Sequence, residues 1–243
     1  MSELTETLIV LPAFNEEGSV AEVVREVLEK LPGVACLVVD DGSHDGTFQR
    51  AIGAGATVAR LPFNLGVGAA MRVGFRYAIE NGFKNVIQID SDGQHDPASV
   101  PEMLQQLREV DIVIAARFAG AGDYDARGPR RLAMRLLALV LSSVTHTELT
   151  DATSGFRASG PRAVAVFVDN YPAEYLGDTI ESLVIASRFN LNVRQIPTVM
   201  RRRSAGTPSQ NPIRSATYLG RAMIALVFAL LRPKSSYGTE AEH

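Results

Sequence analysis

A chain of 243 residues, 46% of them hydrophobic, is long enough to bury a sizeable core, and a formal charge of −3 gives no global reason to expect a nucleic-acid partner. The single cysteine, Cys36, excludes a disulfide framework within the chain and points to a reducing compartment. Acidic residues before Leu8 argue against a signal peptide, and the longest apolar run, Ala222 to Leu231, is too short to span a bilayer, so the chain is expected not to cross a membrane by itself.

Thr7 to Pro12 reads as a short apolar strand, followed by Ala13-Phe14-Asn15-Glu16-Glu17 and a helix from about Ser19 to Leu31 with Val20, Val23, Val24, Val27 and Leu28 on one face. Cys36 lies in the apolar run Ala35 to Val39 and reads as a buried small hydrophobe, not a nucleophile. The strand Leu37-Val38-Val39 ends in Asp40-Asp41-Gly42-Ser43, and Asp45 or Ser43 can cap the helix after it. A third short strand, Thr57 to Leu61, leads through Pro62-Phe63-Asn64-Leu65-Gly66-Val67-Gly68 into a helix from about Ala69 to Glu80. The run Asn85-Val86-Ile87-Gln88-Ile89 then breaks into Asp90-Ser91-Asp92-Gly93-Gln94-His95-Asp96-Pro97 before a helix Ala98 to Leu107 and a strand Asp111 to Ala116 that ends at Arg117.

The second half is less regular. A small-residue loop Ala119 to Tyr124 precedes a helix Gly128 to Val144 with Arg130, Arg131 and Arg135 near its start; the polar loop Thr150 to Arg157 leads to a short strand, then come a helix from about Gly177 to Phe189 and a last strand Val193 to Val199. No acidic residue occurs between Glu181 and Glu240, so that end of the protein is basic. Pro212 to Leu231 interleaves apolar residues with Arg214 and Arg221, which fits an interfacial helix on anionic lipid and equally a helix packed on its own domain or on a second copy of the chain. The expected organisation is one α/β domain over residues 1–210, a C-terminal amphipathic helix over 211–232 and a disordered tail over 233–243.

Strands alternating with amphipathic helices predict a Rossmann-like, mostly parallel central sheet flanked by helices, and ligands of such sheets bind beyond the carboxyl ends of the strands. Asn15, Glu16, Asp40, Asp41, Asp90, Asp92 and Arg117 all fall at those ends. Residues two apart in an extended chain point the same way, so Asp90 and Asp92 can converge if the strand persists, while Gly93 lets the chain turn and bring the Gln94 carbonyl near. Hard oxygen ligands in this arrangement suit Mg²⁺ or Mn²⁺ bridging to a phosphate-bearing ligand. An isolated Asp-x-Asp is also the mark of a solvated turn; four polar clusters at successive strand ends favour one joint site. Gly66-Val67-Gly68 near a helix start lacks the placement of a dinucleotide fingerprint, and no P-loop occurs.

Leu11-Pro12-Ala13-Phe14-Asn15-Glu16, Val38 to Ser43, Asn64-Leu65-Gly66-Val67-Gly68-Ala69-Ala70, Asp90 to His95 and Thr153-Ser154-Gly155-Phe156-Arg157 together resemble, in order and spacing, the family 2 inverting glycosyltransferases of GT-A fold. The likeness is strongest to dolichol- or polyprenol-phosphate mannosyl- and glucosyltransferases and covers roughly residues 7 to 210. The resemblance implies transfer of a hexose from a nucleotide-diphosphate sugar to a polyprenyl phosphate, with Mg²⁺ or Mn²⁺ as cofactor. It sets Pro12, Ala13, Phe14, Asn15, Glu16, Asp41, Gly66, Asp90 and Ser91 around the nucleotide sugar and makes Asp90, Asp92 and Gln94 the metal and diphosphate site. One of Arg201 to Arg203, with Arg202 and Arg203 foremost, would close over the diphosphate. Arg117 and Arg131, backed by Arg127 and Arg130, would face the lipid phosphate, so that Asp92, Arg117 and Arg131 carry the catalysis.

An anionic phosphate acceptor needs cations more than a base; a hydroxyl acceptor in cell-envelope polysaccharide synthesis is the alternative and would recruit Asp151, Asp178 or Glu181 as general base. A nucleotidyltransferase and a non-catalytic binding protein are the remaining rivals. Many relatives carry transmembrane helices that this chain lacks, so the expected location is the cytoplasmic face of a membrane, held there peripherally or by a small membrane-protein partner.

Overall fold

The structure, a computed structural model, describes residues 3–117, 129–151, 153–172 and 178–201. Seven strands form one sheet: β1 Thr7–Ala13, β2 Ala35–Asp40, β3 Thr57–Arg60, β4 Asn85–Gln88, β5 Ile112–Arg117, β6 Arg157–Ser159 and β7 Val193–Thr198, in the order β3-β2-β1-β4-β6-β5-β7. All neighbours run parallel except β6, which is antiparallel to both β4 and β5. The helices are α1 Val20–Lys30, α2 Thr47–Gly53, α3 Val67–Glu80, α4 Val100–Gln106, α5 Pro129–Thr145, α6 Pro161–Asn170 and α7 Asp178–Arg188. The mostly parallel sheet flanked by helices is the α/β architecture the sequence predicts. The helix expected over 211–232, the tail over 233–243, and the loop at Ala119 to Tyr124 lie outside the described residues.

An apolar run becomes a sheet with two cores because successive side chains point to opposite faces. In β1, Leu8 and Val10 pack with Leu37, Val39, Met71, Phe75 and Val86 on one side, under α3, α5, α6 and α7. Ile9 and Leu11 pack with Val20, Val24, Val27, Val38, Ile87 and Met103 on the other, under α1 and α4. Strands buried on both faces are apolar along their whole length and leave polar residues only at their ends, which is why the carboxylates concentrate there.

Two elements differ from the sequence reading. The helix α6 escapes it because Pro161 and the short, β-branched-rich stretch Val164 to Val168 hide the helical period; Pro161 in fact occupies the first helical turn, where its missing N–H costs nothing. The strand β4 ends at Gln88, so Asp90 and Asp92 do not lie on a continuing strand. Only one further ladder bond follows, from Ile89 N–H to Val10 C=O at 3.0 Å.

Close packing of α3 on β1 depends on Gly74. A Cβ there would lie 2.8 Å from both Val10 Cγ1 and Cγ2, and Val10 is fully buried in a central strand with no room to yield. Gly74→Val is expected to destabilise the fold by about 1–3 kcal/mol through overpacking, read as a lowered urea midpoint at unchanged slope.

Candidate nucleotide and metal site

The strand order reverses beside β1: the chain proceeds from β1 to β2 and β3 on one side and returns to β4 on the other. Such a switch point opens a crevice at the carboxyl ends of the two central strands. Its walls are the β1–α1 segment Phe14 to Ser19 and the turn from Asp90 to Pro97. The second is tied to the end of β1 by Ser91 Oγ, which donates to Pro12 C=O at 2.9 Å in a buried bond.

The β1–α1 segment is also interlocked with the β2–α2 segment. Asn15 N–H donates to Ser43 Oγ at 2.9 Å, His44 N–H to Asn15 Oδ1 at 2.9 Å, Glu16 N–H to Thr47 Oγ1 at 2.8 Å and Gly46 N–H to Glu17 Oε2 at 2.9 Å. Asn15 sits at φ 54°, a left-handed conformation that asparagine tolerates better than most residues, and this turns Phe14 outward to 40% exposure. The Phe14 and His44 rings meet edge to face at 6.4 Å between centroids. Glu16 does not point freely into the crevice, since its Oε2 accepts from Ser19 Oγ at 2.8 Å. Neither expected residue is the cap of α2, a position Gly46 holds; Asp45 lies just before it and makes an Asx turn, its Oδ1 accepting from Thr47 N–H at 3.0 Å. Ser43 instead receives Asn15.

A third loop joins through the Asp40-Asp41 pair. Asp41 Oδ1 accepts from Leu65 N–H at 2.8 Å and Oδ2 from Gly66 N–H at 2.7 Å, so both its oxygens hold the β3–α3 loop. Burial pushes its carboxyl above the usual range, aided by the charge of Asp40, against the opposing pull of those two amides. Gly42, at φ 73°, is needed for the loop to approach, as a Cβ there would lie 2.5 Å from Phe63 C. Asp40 is fully buried; its Oδ1 accepts from Ser43 N–H at 2.9 Å, and its Oδ2 lies 3.2 Å from Arg60 Nε, near enough for an ion pair but not aligned as a hydrogen bond. The sequence reading placed Asp40 among the strand-end carboxylates and offered Ser43 as a helix cap; in the structure the two bond each other, and Ser43 also receives Asn15 N–H.

The turn after β4 carries Asp90, Asp92 and Gln94, and hydrogen bonds rather than strand alternation set its shape. Asp92, only 6% exposed, accepts from Gln94 N–H through Oδ1 at 3.0 Å, which closes the turn that Gly93 permits at φ 78°. His95, buried and stacked on Phe156 at 4.9 Å, accepts from Asp90 N–H through Nδ1 at 3.2 Å, and its Nε2 lies 3.7 Å from Asp90 Oδ2. The Asp90 side chain is 41% exposed, and no lysine or arginine among the described residues pairs with it. From behind, Gly155 presses on this carboxylate: a Cβ there would lie 2.8 and 2.9 Å from its two oxygens. Ser154 fixes that approach by donating to Ala115 C=O at 2.6 Å.

A divalent cation fits this donor set. Two carboxylates and an amide oxygen are hard ligands of the kind Mg²⁺ and Mn²⁺ take, and Gly155 leaves the space Asp90 needs. No three His, Cys, Asp or Glu side chains among the described residues form a cage by themselves, so ligand phosphate and water would complete the shell.

The other expected residues are engaged by partners outside the proposed donor set or lie beyond description. Arg117 closes β5 and Arg130 and Arg131 open α5, but their side chains lie outside the described residues, as do Arg127, Arg202 and Arg203 entirely. Asp151 caps its own turn, accepting from Thr153 N–H at 3.0 Å and Thr153 Oγ1 at 2.7 Å. Cys36 is buried, and burial pushes its thiol up to about 12, which makes it inert at neutral pH. Arg201 does not reach into the crevice; its guanidinium pairs with Glu26 and Asp96.

Burial alone would raise the Asp96 carboxyl, but Lys30, Ala98 N–H and Arg201 outweigh it and hold the group at about 2. A depressed carboxylate stabilises the fold above its unfolded value of about 4 and loses that contribution as pH falls from about 4 to about 2. Urea unfolding is expected to show a loss of at most about 2 kcal/mol over that window from Asp96, since the group is only partly shielded, and Asp96→Asn to flatten the profile.

A family model described as Glycosyl transferase family 2 matches residues 8–168. An undecaprenyl-phosphate mannosyltransferase of Micrococcus luteus is 27% identical over 206 residues, spanning 82% of this chain and 85% of that protein. A polyprenol monophosphomannose synthase of Mycolicibacterium smegmatis is 30% identical over 160 residues, 63% of this chain and 60% of its own. Among solved structures, glucosyl-3-phosphoglycerate synthase from Mycobacterium tuberculosis, in complex with Mn²⁺, UDP and phosphoglyceric acid, superposes with a TM-score of 0.71 over 95% of this chain and 80% of that one, at 23% identity. At that identity the likeness establishes the fold alone.

Proposed function

The chain belongs to glycosyl transferase family 2, and from that premise we propose that it transfers a hexose from a nucleotide-diphosphate sugar to a polyprenyl phosphate, with inversion at the anomeric carbon. The observation that carries this reading is the turn Asp90 to Gln94, two carboxylates and an amide tied to β1 at the switch point of the sheet. The acceptor is supported by the relatives from Micrococcus luteus and Mycolicibacterium smegmatis, both named for transfer to such a lipid.

Asp90, Asp92 and Gln94 would hold Mg²⁺ or Mn²⁺, whose chemistry there is neutralisation of the diphosphate leaving group. Phe14, with His44 beside it, offers an aromatic surface at the mouth of the crevice for the base, and the braced Asn15-Glu16 turn supplies the wall next to the sugar nucleotide. Arg202 and Arg203 remain the candidates for closing over the diphosphate. Inversion requires one in-line displacement: the acceptor oxygen forms its bond to the anomeric carbon as the bond to the diphosphate breaks. A lipid phosphate oxygen is already anionic and has no proton to surrender, so the demand on the protein is positive charge that brings two anions together. Arg117 and Arg131, backed by Arg127 and Arg130, are the residues assigned to that task. Asp151 is poorly suited as a general base because its Oδ1 already serves Thr153. No helix among the described residues is long and apolar enough to cross a membrane, and the reading sets the protein peripherally on the cytoplasmic face, where the basic C-terminal stretch meets anionic lipid or a small membrane protein.

The test is transfer of radiolabelled sugar from a panel of UDP- and GDP-sugars into polyprenyl phosphate with Mg²⁺ or Mn²⁺. Lipid-extractable label is expected from one donor, and Asp92→Ala is expected to lower it by at least a hundredfold. Label found only in water-soluble or glycan product would move the acceptor to a hydroxyl.

A further inference from the structure

Four charges from three separate stretches of chain meet beside the acidic turn. Arg201 Nη1 lies 2.6 Å from Glu26 Oε1 on α1, and its Nη2 lies 2.6 Å from Asp96 Oδ2. Lys30 closes the ring, 2.7 Å from Glu26 Oε1 and 2.8 Å from Asp96 Oδ1. Each carboxylate faces two cations and each cation two carboxylates. Isolated surface pairs contribute little to stability, but a closed, two-pronged ring fixes geometry, because moving any one member breaks two contacts.

What the ring fixes is the main chain of Arg201, and that main chain grips Gln94. Arg201 N–H donates to Gln94 C=O at 3.0 Å, and Gln94 Nε2 donates to Arg201 C=O at 3.4 Å. With its own N–H on Asp92 Oδ1, Gln94 has three of its four polar groups engaged. The fourth is the side-chain oxygen Oε1. An amide can present either end; only the oxygen has lone pairs for a cation, and the NH₂ end would repel it. The contact of Nε2 with the Arg201 carbonyl selects between the two.

We infer that Arg201 is a positioning residue for Gln94: anchored by Glu26, Lys30 and Asp96, its carbonyl takes the amide nitrogen and so turns Oε1 toward a divalent cation shared with Asp90 and Asp92. The inference rests on the cation site proposed above. It makes α1, on the far side of the turn, part of the machinery that shapes the site, and Glu26 acts on the cation without touching it.

The experiment is Mn²⁺ titration of the full chain followed by the spin-resonance signal of free Mn²⁺, with and without inorganic pyrophosphate, alongside hydrogen exchange of the segment 89–97. Glu26→Gln opens the ring at α1, and Arg201→Met removes the guanidinium while keeping the main chain. Both are expected to weaken Mn²⁺ binding about tenfold and to speed exchange in that segment, as loss of an outer-sphere support does. Wild-type affinity in both variants while Asp92→Ala abolishes binding would overturn the inference and leave the cation site standing, even if melting temperatures fell. Absence of Mn²⁺ binding by the wild type, or binding that Asp92→Ala leaves intact, would overturn the site and the inference with it.

Discussion

The site depends on β1 lying between β2 and β4. That single adjacency sets three segments around one crevice: the turn after β1, the acidic end of β2, and the acidic turn after β4. Parallel pairing fixes the register, with Leu8 beside both Ala35 and Val86, and the register fixes which residues emerge at the top. A slip would exchange the faces of every side chain and carry Ile9 and Leu11 out of their core, so burial on both sides of the sheet enforces the geometry of the crevice.

Above the sheet, rigidity comes from hydrogen bonds between segments that are distant in sequence. The β1 and β2 loops exchange side-chain and main-chain partners, Asp41 clamps the β3–α3 loop, and Ser91 ties the acidic turn to Pro12. Most of the polar residues at the strand ends thus serve one another. Asp90, part-exposed, has among the described residues only a long contact from Gln88 Nε2 and the nearby His95 ring and no lysine or arginine, and among them the Oε1 of Gln94 has no partner either. A binding site is legible here as the places where the mutual satisfaction of polar groups stops.

The sheet, and the strand ends that carry the candidate site, could be read from the sequence because strands buried on both faces are apolar throughout and end in carboxylates. The individual tasks of those carboxylates could not. Asp41 and Glu16 looked free to meet a ligand, yet each is engaged by groups far from it or by a hydroxyl three residues on, which no periodicity reports. Strand alternation was the route expected to align Asp90 and Asp92, but β4 stops at Gln88 and a turn closed by the Gln94 amide follows instead. The partnership of Glu26 with Arg201 joins residues at opposite ends of the described chain and carries no local signal at all. The helix α6 was missed for the opposite reason, a local pattern too β-branched to show its period.

The antiparallel strand β6 lies between β4 and β5, although it is made after both. As the chain leaves the ribosome, β5 has no neighbour on the β4 side until Arg157 to Ser159 have followed it, and Gly155 cannot settle behind Asp90 before then. The half-sheet of β1 to β4 can pair early, while the last support of the acidic turn waits for the second half of the chain. A nascent fragment would thus expose an unpaired strand edge next to an unfinished site. In order of synthesis, the acidic turn gains its backing from Gly155 only after more than half of the chain has been made.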